Sequence, residues 1–253
     1  MRLGVISDVH GNRFALESVL RNLDELAIDR LICLGDVVGY GPDPAACLDL
    51  IFEREPIMVI GNHEEALLDP IIATRFRDAA REAIDWTRRR LRLERPDLIQ
   101  RLAEQPGMEY IGAAVMCVHD SPIPGGERYL VDASGAEPAF RGVDVPICLV
   151  GHTHLPVAFQ MVVDSDRTES EVVVHRPQAT SEFGIEAADR WIINPGAVGQ
   201  PRDGDTRASF MVIDLARGSA SWHRVAYDIG AAQRRALAMG LPPRTARRLA
   251  LGA

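Results

Sequence analysis

The sequence contains no lysine, few cysteines and no long apolar run. The sequence has 28 arginines and no lysine, which excludes enzymes that need a Schiff-base lysine or a P-loop lysine. The four cysteines are widely separated, so the sequence predicts reduced core residues and no disulfide framework or zinc knuckle. They are Cys33, Cys47, Cys117 and Cys148.

Basic charge is also scarce relative to acidic charge. The formal net charge of −8 argues against a protein that coats a nucleic-acid backbone, since such a protein needs a basic surface. No apolar stretch reaches bilayer length and no signal peptide is visible, so we expect a cytoplasmic protein without a membrane partner. With 253 residues, 47% of them hydrophobic, the chain is large enough for one domain spanning residues 1–253.

Five polar segments each follow a short apolar run that predicts a buried strand. A buried strand does not need such a polar end to fold, whereas a metal site needs oxygen and nitrogen donors. The five segments are Asp8-Val9-His10, Gly35-Asp36, Gly61-Asn62-His63-Glu64, His119 and Gly151-His152-Thr153-His154.

The order of apolar patterns predicts an α/β fold. Strands at 2–7, 30–34 and 56–60 alternate with helices at about 13–28 and 43–54, which indicates a parallel sheet whose ligand site lies beyond the carboxyl ends of its strands. Later strands predict a second, antiparallel or mixed sheet. They are expected at 113–118, 145–150, 157–163, 171–175, 191–193, 209–215 and 221–227. The expected architecture is a four-layer α/β/β/α sandwich of two mixed sheets flanked by helices.

Two helical segments stand apart from this alternation. Residues 66–106 are either a helical pair packed on the sheet or a cap insertion over the site, and we favour the cap. Residues 229–251 form an arginine- and alanine-rich helical tail with no function that the sequence indicates.

The polar segments offer two carboxylates, one amide oxygen and four imidazoles as metal donors. These seven are Asp8, His10, Asp36, Asn62, His119, His152 and His154. Without a thiolate, the set suits Mn²⁺, Fe or Zn²⁺, and it is too large for one tetrahedral ion. It fits two ions that share one carboxylate. Such a site is positively charged and attracts phosphate, and the ions supply a hydroxide nucleophile for hydrolysis.

The five segments, in this order, resemble those of the calcineurin-like metallophosphoesterase superfamily. The strings at 35–44 and 194–203 resemble, more narrowly, a group of small bacterial phosphodiesterases and protein phosphatases. The resemblance implies that Asp8, His10 and His154 hold one metal, with Mn²⁺ favoured. It also implies that Asn62, His119 and His152 hold the other, that Asp36 bridges them, and that His63 binds phosphate and protonates the leaving oxygen.

Several residues keep two interpretations at this stage. Asn12 either touches phosphate or caps its helix, Arg202 either clamps the substrate or lies in an exposed turn, and Tyr40 either lines the pocket or packs in its turn. Glu64 either orients His63 or caps the next helix. The two histidines outside the motifs, His175 and His223, are interpreted as structural.

The favoured function is a phosphodiesterase acting on small or nucleotide-like phosphate esters. One alternative is a phosphomonoesterase, such as a serine/threonine protein phosphatase, because the motifs serve both reactions. Another is a regulator that binds a nucleotide without hydrolysing it. The oligomeric state is not indicated.

Overall fold

The computed structural model describes residues 1–123, 125, 129–162, 171–177 and 180–253. The strands are β1 (Arg2–Ile6), β2 (Arg30–Cys33), β3 (Ile57–Met58), β4 (Met108–Ile111), β5 (Val115–Val118), β6 (Ile147–Leu149), β7 (Val157–Val162), β8 (Glu171–His175), β9 (Ser181–Gly184), β10 (Arg190–Asn194), β11 (Ala208–Asp214) and β12 (Ser219–Val225). The α-helices are α1 (Arg13–Glu25), α2 (Pro44–Phe52), α3 (Asn62–Leu68), α4 (Pro70–Ala73), α5 (Asp78–Glu94), α6 (Pro96–Ala103), α7 (Ala133–Ala139), α8 (Ile229–Ala238) and α9 (Pro243–Leu249), and a 3₁₀ turn spans Phe140–Gly142.

The strands form two mixed sheets of six strands each. The first has the order β3-β2-β1-β11-β12-β9, in which β1, β2 and β3 are parallel and the other pairs are antiparallel. The second has the order β4-β5-β6-β10-β7-β8, in which β5, β6 and β10 are parallel. The predicted pair of mixed sheets is therefore confirmed.

Three apolar layers hold the sheets and helices together. Leu3 and Val5 on β1 belong to a core shared with Trp191 on β10 and Trp222 on β12, so the sheets face each other. The opposite face of the first sheet packs on α1 and α2, and that of the second packs on α7. Alternation of side chains along each strand produces this arrangement, because successive residues point to opposite faces.

The first half of the chain follows the predicted alternation closely. Asn12 caps α1, since its Oδ1 accepts a hydrogen bond from the Ala15 amide at 3.2 Å. The helix ends at Glu25, earlier than predicted, because Ala27 takes a left-handed backbone with φ of 50°. Helix α2 begins at Pro44, where the ring restricts φ and no amide hydrogen is needed.

The polar segment at 61–64 was expected as the tip of a strand, but the structure begins helix α3 at Asn62. Helices then continue through α6, and the cap insertion at 66–106 stays a prediction. Strands β4 and β9 and helix α7 were not predicted. The last residue of the strand predicted at 157–163 lies outside the described residues.

The four cysteines are buried and unpaired with one another, as predicted. In the part of the chain that the structure describes, no helix is long and apolar enough to cross a membrane.

Candidate metal centre

All five polar segments converge beyond the carboxyl ends of strands from both sheets. Asp8 and His10 follow β1, and Asp36 follows β2. His119 directly follows β5, and the loop after β6 carries His152. These strands are neighbours within their sheets, so their ends deliver the side chains to one place.

The backbone around the site is held in an uncommon conformation. Five of the seven candidate donors have positive φ angles, a region that costs a non-glycine residue about 1–3 kcal/mol. They are Asp8 (54°), His10 (49°), Asp36 (53°), His152 (66°) and His154 (62°). Interlocked main-chain hydrogen bonds stabilise the turns, including Asp8 N to Gly35 O at 3.1 Å and His10 N to Asp36 O at 2.9 Å.

One cluster of buried donors consists of Asp8, His10 and His154. Asp8 Oδ1 lies 3.3 Å from His154 Nε2 and 3.8 Å from His10 Nε2. The two imidazole Nε2 atoms lie 3.1 Å apart. These three atoms face one another closely enough to bind a single cation.

A second cluster consists of Asp36, His119 and His152. Asp36 Oδ2 lies 3.2 Å from His119 Nε2, and Asn62 Oδ1 lies 2.8 Å from His152 Nδ1. Asp36 Oδ2 also lies 3.8 Å from His10 Nε2, which belongs to the first cluster. The Asp36 carboxylate is therefore positioned between the two clusters.

Three of the histidines present the same nitrogen to these clusters. In each, Nδ1 lies at hydrogen-bond distance from a backbone carbonyl, which only accepts, so Nδ1 carries a proton and Nε2 is the nitrogen that faces the cluster. The pairs are His10 with Val38 (3.0 Å), His119 with Leu34 (2.6 Å) and His154 with Gln200 (2.6 Å). This tautomer is the one that binds metals, and such partners fix the orientation of the ring.

The electrostatics of the cluster also suit a cation. Burial, together with neighbouring cationic groups, keeps the pKa of His10 and His154 well below the ordinary value, so both are neutral donors. Burial raises the pKa of Asp8 to about 7, and its Oδ1 makes no hydrogen bond within the described residues.

The pair formed by Asp36 and His119 behaves differently. Burial opposes both charges, but their mutual attraction holds the pKa of Asp36 well below its usual range and raises that of His119 to about 10. Metal binding at this cluster would displace the proton of His119. The donor set, its burial and its tautomers therefore fit divalent cations.

His63 lies beside both clusters, in the first turn of α3. Its backbone amide donates a hydrogen bond to Asp36 Oδ1 at 2.9 Å. Its ring lies among the rings of His10 (4.7 Å), Tyr40 (4.8 Å) and Phe76 (4.8 Å). Burial lowers the pKa of His63 to about 4, and its Nδ1 finds no hydrogen-bond partner among the described residues.

Two glycines make room for this arrangement. Gly39 has a φ of 85°, and a Cβ there would lie 2.0 Å from His63 Nδ1. A Cβ at Gly61 would lie 2.2 Å from Asp36 Oδ1. Both positions therefore need glycine so that the two loops approach each other.

Glu64 is a residue whose role the sequence left open. Its buried carboxylate accepts hydrogen bonds from the backbone amides of Asp36 (2.7 Å), Val38 (3.0 Å) and Gly61 (2.9 Å). It thus caps α3 and fixes the loop that carries Asp36. An acidic residue three positions after a helix N-cap is the sequence signal for such a contact.

The remaining candidate residues differ in whether they line the cleft over the two clusters. Both polar groups of the Asn12 side chain make hydrogen bonds within the fold, to the Ala15 amide and to Gly199 O at 2.9 Å, which favours the capping interpretation. Tyr40 and Arg202 line a cleft of about 500 Å³ that opens over the two clusters. His175 and His223 lie on β8 and β12, away from the cleft.

The comparisons with known proteins agree with this geometry. Residues 1–218 match the family model of the calcineurin-like phosphoesterase superfamily domain. The chain belongs to the calcineurin-like phosphoesterase superfamily. This family acts on phosphate esters and implies divalent metal ions, for which the clusters provide a potential site.

Relatives of this calcineurin-like phosphoesterase cover its whole length. The solved structure of a metallophosphoesterase from Sphaerobacter thermophilus is 37% identical, with a TM-score of 0.82 and 100% of both chains covered. An uncharacterised protein of Methanocaldococcus jannaschii is 32% identical over 251 residues, which are 99% of this chain and 98% of the relative. A hypothetical protein from Pyrococcus horikoshii OT3 shares the fold, with a TM-score of 0.76 at 19% identity and coverage of 100% and 98%.

Proposed function

We propose that this protein is a dinuclear-metal-dependent phosphodiesterase acting on small or nucleotide-like phosphate esters. The observation that carries the proposal is the position of Asp36. Its Oδ2 lies 3.2 Å from His119 Nε2 and 3.8 Å from His10 Nε2, so one carboxylate serves both clusters of donors. A shared carboxylate is the arrangement that two neighbouring ions need.

The donors divide between two ions. The first would be held by Asp8, His10 and His154, the second by Asn62, His119 and His152, and Asp36 would bridge them. The mixed oxygen and nitrogen set favours Mn²⁺ over a thiolate-preferring metal, with Fe and Zn²⁺ as alternatives. When bound, such ions act as Lewis acids on the phosphoryl oxygens and activate water for attack.

His63 is proposed to protonate the leaving oxygen. Its Nδ1 is buried without a hydrogen-bond partner among the described residues, and its pKa is lowered by burial to about 4. An anionic phosphoryl group beside the ring favours the protonated form and opposes that effect. The proton would then pass to the leaving oxygen as the phosphorus–oxygen bond breaks.

Arg202, which lines the same cleft as His63, is proposed to bind the phosphoryl group. Its guanidinium is half-buried, and Nε has no hydrogen-bond partner among the described residues. Arginine recognises phosphate oxygens through its planar set of donors. Tyr40 lines the same cleft and packs against the ring of His63.

The size of the cleft supports a diester. At about 500 Å³, it has room for groups on both sides of one phosphoryl centre.

The test compares bis(p-nitrophenyl) phosphate with p-nitrophenyl phosphate, each with Mn²⁺ and then with EDTA. We expect Mn²⁺-dependent turnover that is faster for the diester, is abolished by EDTA and falls by at least about 10²-fold in Asp36→Asn. Asp97→Asn is the matched control, because Asp97 is exposed and lies on α6 away from the cleft. Turnover without metal dependence would refute the proposal, and a faster monoester would favour the phosphatase alternative.

A further inference from the structure

The cleft over the metal centre has an outer wall built by two segments far apart in sequence. Ala83 and Trp86 of α5 pack with residues of the tail. These are Ala236 of α8, Leu241 of the turn that follows it, and Ala246 of α9. Tyr40, which contacts His63, packs against the same cluster. The helices at 66–106 and the C-terminal tail therefore form one continuous surface beside the site.

The tail is also fixed to both loops that flank the cleft. Arg235 on α8 donates two hydrogen bonds to Asp43 Oδ1, at 3.0 and 2.8 Å, in the loop that follows Tyr40. On the other side, the Gly204 amide donates to Gly252 O at 2.9 Å, close to Arg202. These contacts hold the tail in a defined position relative to the metal centre.

This wall brings arginines into the cleft. Four line it: Arg75 and Arg77 from the connection between α4 and α5, Arg202, and Arg248 from α9. The lining carboxylates are Asp36, which lies between the metal clusters, and Glu65. A concentration of cationic groups in a chain with a net charge of −8 is a local feature that favours an anionic ligand.

The described part of the chain offers these arginines few carboxylate partners. Among the described residues, Arg75, Arg77 and Arg202 form no ion pair. The Nε of Arg248 donates a hydrogen bond at 2.6 Å to a main-chain oxygen of Ala253, the last residue of the sequence. Burial, together with the like charges of Arg202, Arg244 and Arg77, lowers the pKa of Arg248. A cluster of this kind is stabilised when an anion binds between its members.

The arginines differ in their neighbours: the Arg202 amide donates a hydrogen bond to the His154 carbonyl at 3.3 Å. Arg202 is close to the metal centre, where burial and its positive charge both lower the pKa of His154. Arg248 lies near Tyr40, Arg202 and Arg77, and no hydrogen bond or ion pair joins it to a candidate metal donor among the described residues. A phosphoryl group held at the metal centre by Arg202 therefore leaves the other arginines available for a different part of the substrate.

We propose that Arg75, Arg77 and Arg248 form a second anion subsite that binds a further phosphoryl group of the same substrate. This inference rests on the proposed function, since the first phosphoryl group occupies the metal centre. It narrows the substrate class to phosphodiesters that carry an additional phosphate, such as those of nucleoside bisphosphates. It also gives the tail a role in substrate selection.

Binding is the first test, because it does not require turnover. Isothermal titration with Mn²⁺ present compares thymidine 3′,5′-bisphosphate with thymidine 5′-monophosphate. We expect the bisphosphate to bind about tenfold tighter, as charge-assisted hydrogen bonds to a second phosphate permit. Arg248→Gln and the double variant Arg75→Gln/Arg77→Gln should each remove most of this preference and leave monophosphate affinity unchanged.

The control is Arg247→Gln, because Arg247 is exposed on the same helix and does not line the cleft. Equal affinity for the two nucleotides in the wild-type protein would overturn the inference. The inference would also be overturned if the preference for the bisphosphate survives in both cleft variants, or if Arg247→Gln loses it to the same extent.

Kinetics provide the second test and separate the two proposals. The p-nitrophenyl ester of thymidine 5′-phosphate is compared with the same ester carrying a 3′-phosphate, so that the scissile bond is identical. We expect a kcat/KM about tenfold higher with the 3′-phosphate, and this advantage should disappear in Arg248→Gln. Similar kcat/KM values for the two esters would refute the second subsite alone. No turnover of either ester would refute the phosphodiesterase proposal, and the titration would still decide the subsite.

Discussion

Replacement of Gly39 by alanine tests whether the position of the His63 ring determines turnover. A Cβ at residue 39 would lie 2.0 Å from His63 Nδ1 and 2.9 Å from Cε1. The rings of His10, Tyr40 and Phe76 surround His63 at 4.7–4.8 Å, so the imidazole has little space for a small adjustment. The three atoms nearest to that Cβ all belong to the His63 ring, so the ring must move out of its place.

Gly39→Ala should reduce both the free energy of unfolding and the turnover. A left-handed backbone costs alanine about 1–2 kcal/mol relative to glycine, and overpacking adds about 1–3 kcal/mol. General acid catalysis accelerates turnover by about 10²–10⁴-fold, so displacement of the His63 ring should remove most of this acceleration. We expect Gly39→Ala to stay folded, to keep its Mn²⁺ and to lose at least about 10² in kcat.

Gly112→Ala is the matched control. Gly112 also has a positive φ, of 58°, but a Cβ there meets nothing within 4 Å. It should lose about 1 kcal/mol of unfolding free energy in urea and keep full turnover.

The leaving group supplies an additional readout. A phenyl ester needs a proton on its leaving oxygen more than a p-nitrophenyl ester does, so the loss in Gly39→Ala should be larger for the phenyl ester. The reasoning is refuted if Gly39→Ala loses no more turnover than Gly112→Ala, or if its loss is the same for both leaving groups.

Three further outcomes follow from the contacts around the metal centre. Glu64→Gln replaces a carboxylate that accepts hydrogen bonds from three backbone amides. The free energy of unfolding in urea should therefore fall by about 2–3 kcal/mol, and titration should show a weaker affinity for Mn²⁺. By elemental analysis, His63→Ala should retain two Mn²⁺ per chain although it loses turnover, whereas Asn62→Ala should lose one of the two ions first. Loss of an ion in His63→Ala with both ions kept in Asn62→Ala would contradict the assignments. Mn²⁺ at 100 times its Kd should raise the free energy of unfolding by about 2.7 kcal/mol per site, and EDTA should remove this stabilisation. A melting temperature that EDTA does not change would exclude a metal site in the folded state.

The location of the site could be predicted from the sequence because it follows from strand order. Carboxyl ends of adjacent parallel strands meet at one edge, so the residues after β1 and β2 had to approach each other. The identity of the donors was visible because polar residues such as Asp8 and Asp36 directly follow apolar runs. The distances between the donors depend on turns with positive φ, which the local pattern does not determine.

The elements that the sequence did not predict have weak local signals. Strand β9 alternates between half-buried and exposed residues at the edge of its sheet, so it lacks an apolar run. Helix α7 contains Gly135 and Pro138, both poor helix formers, and depends on the Asp132 cap. Such elements form because tertiary contacts outweigh local preference.

The role of Glu64 required the three-dimensional structure for a related reason. The residue contacts the loop at 36–38, which is separated from it by more than 25 residues. Through Val38 this contact extends to His10, since the Val38 carbonyl accepts the hydrogen bond from His10 Nδ1. Glu64 thus positions a candidate metal donor without contacting it, a relation that a one-dimensional motif does not contain.

The proposed division between hydrolysis at the metal centre and substrate selection by the tail follows from the placement of the arginines. The candidate metal donors and His63 all lie within residues 1–218, the part that matches the superfamily. Arg248 and the helix that carries it lie beyond that part, yet they pack against α5 and Tyr40 beside the site. Because the tail packs against the cleft wall, we expect changes in it to alter which ester is accepted more than they alter metal binding. A chain lacking the tail would accordingly be expected to lose discrimination between substrates before it loses metal binding.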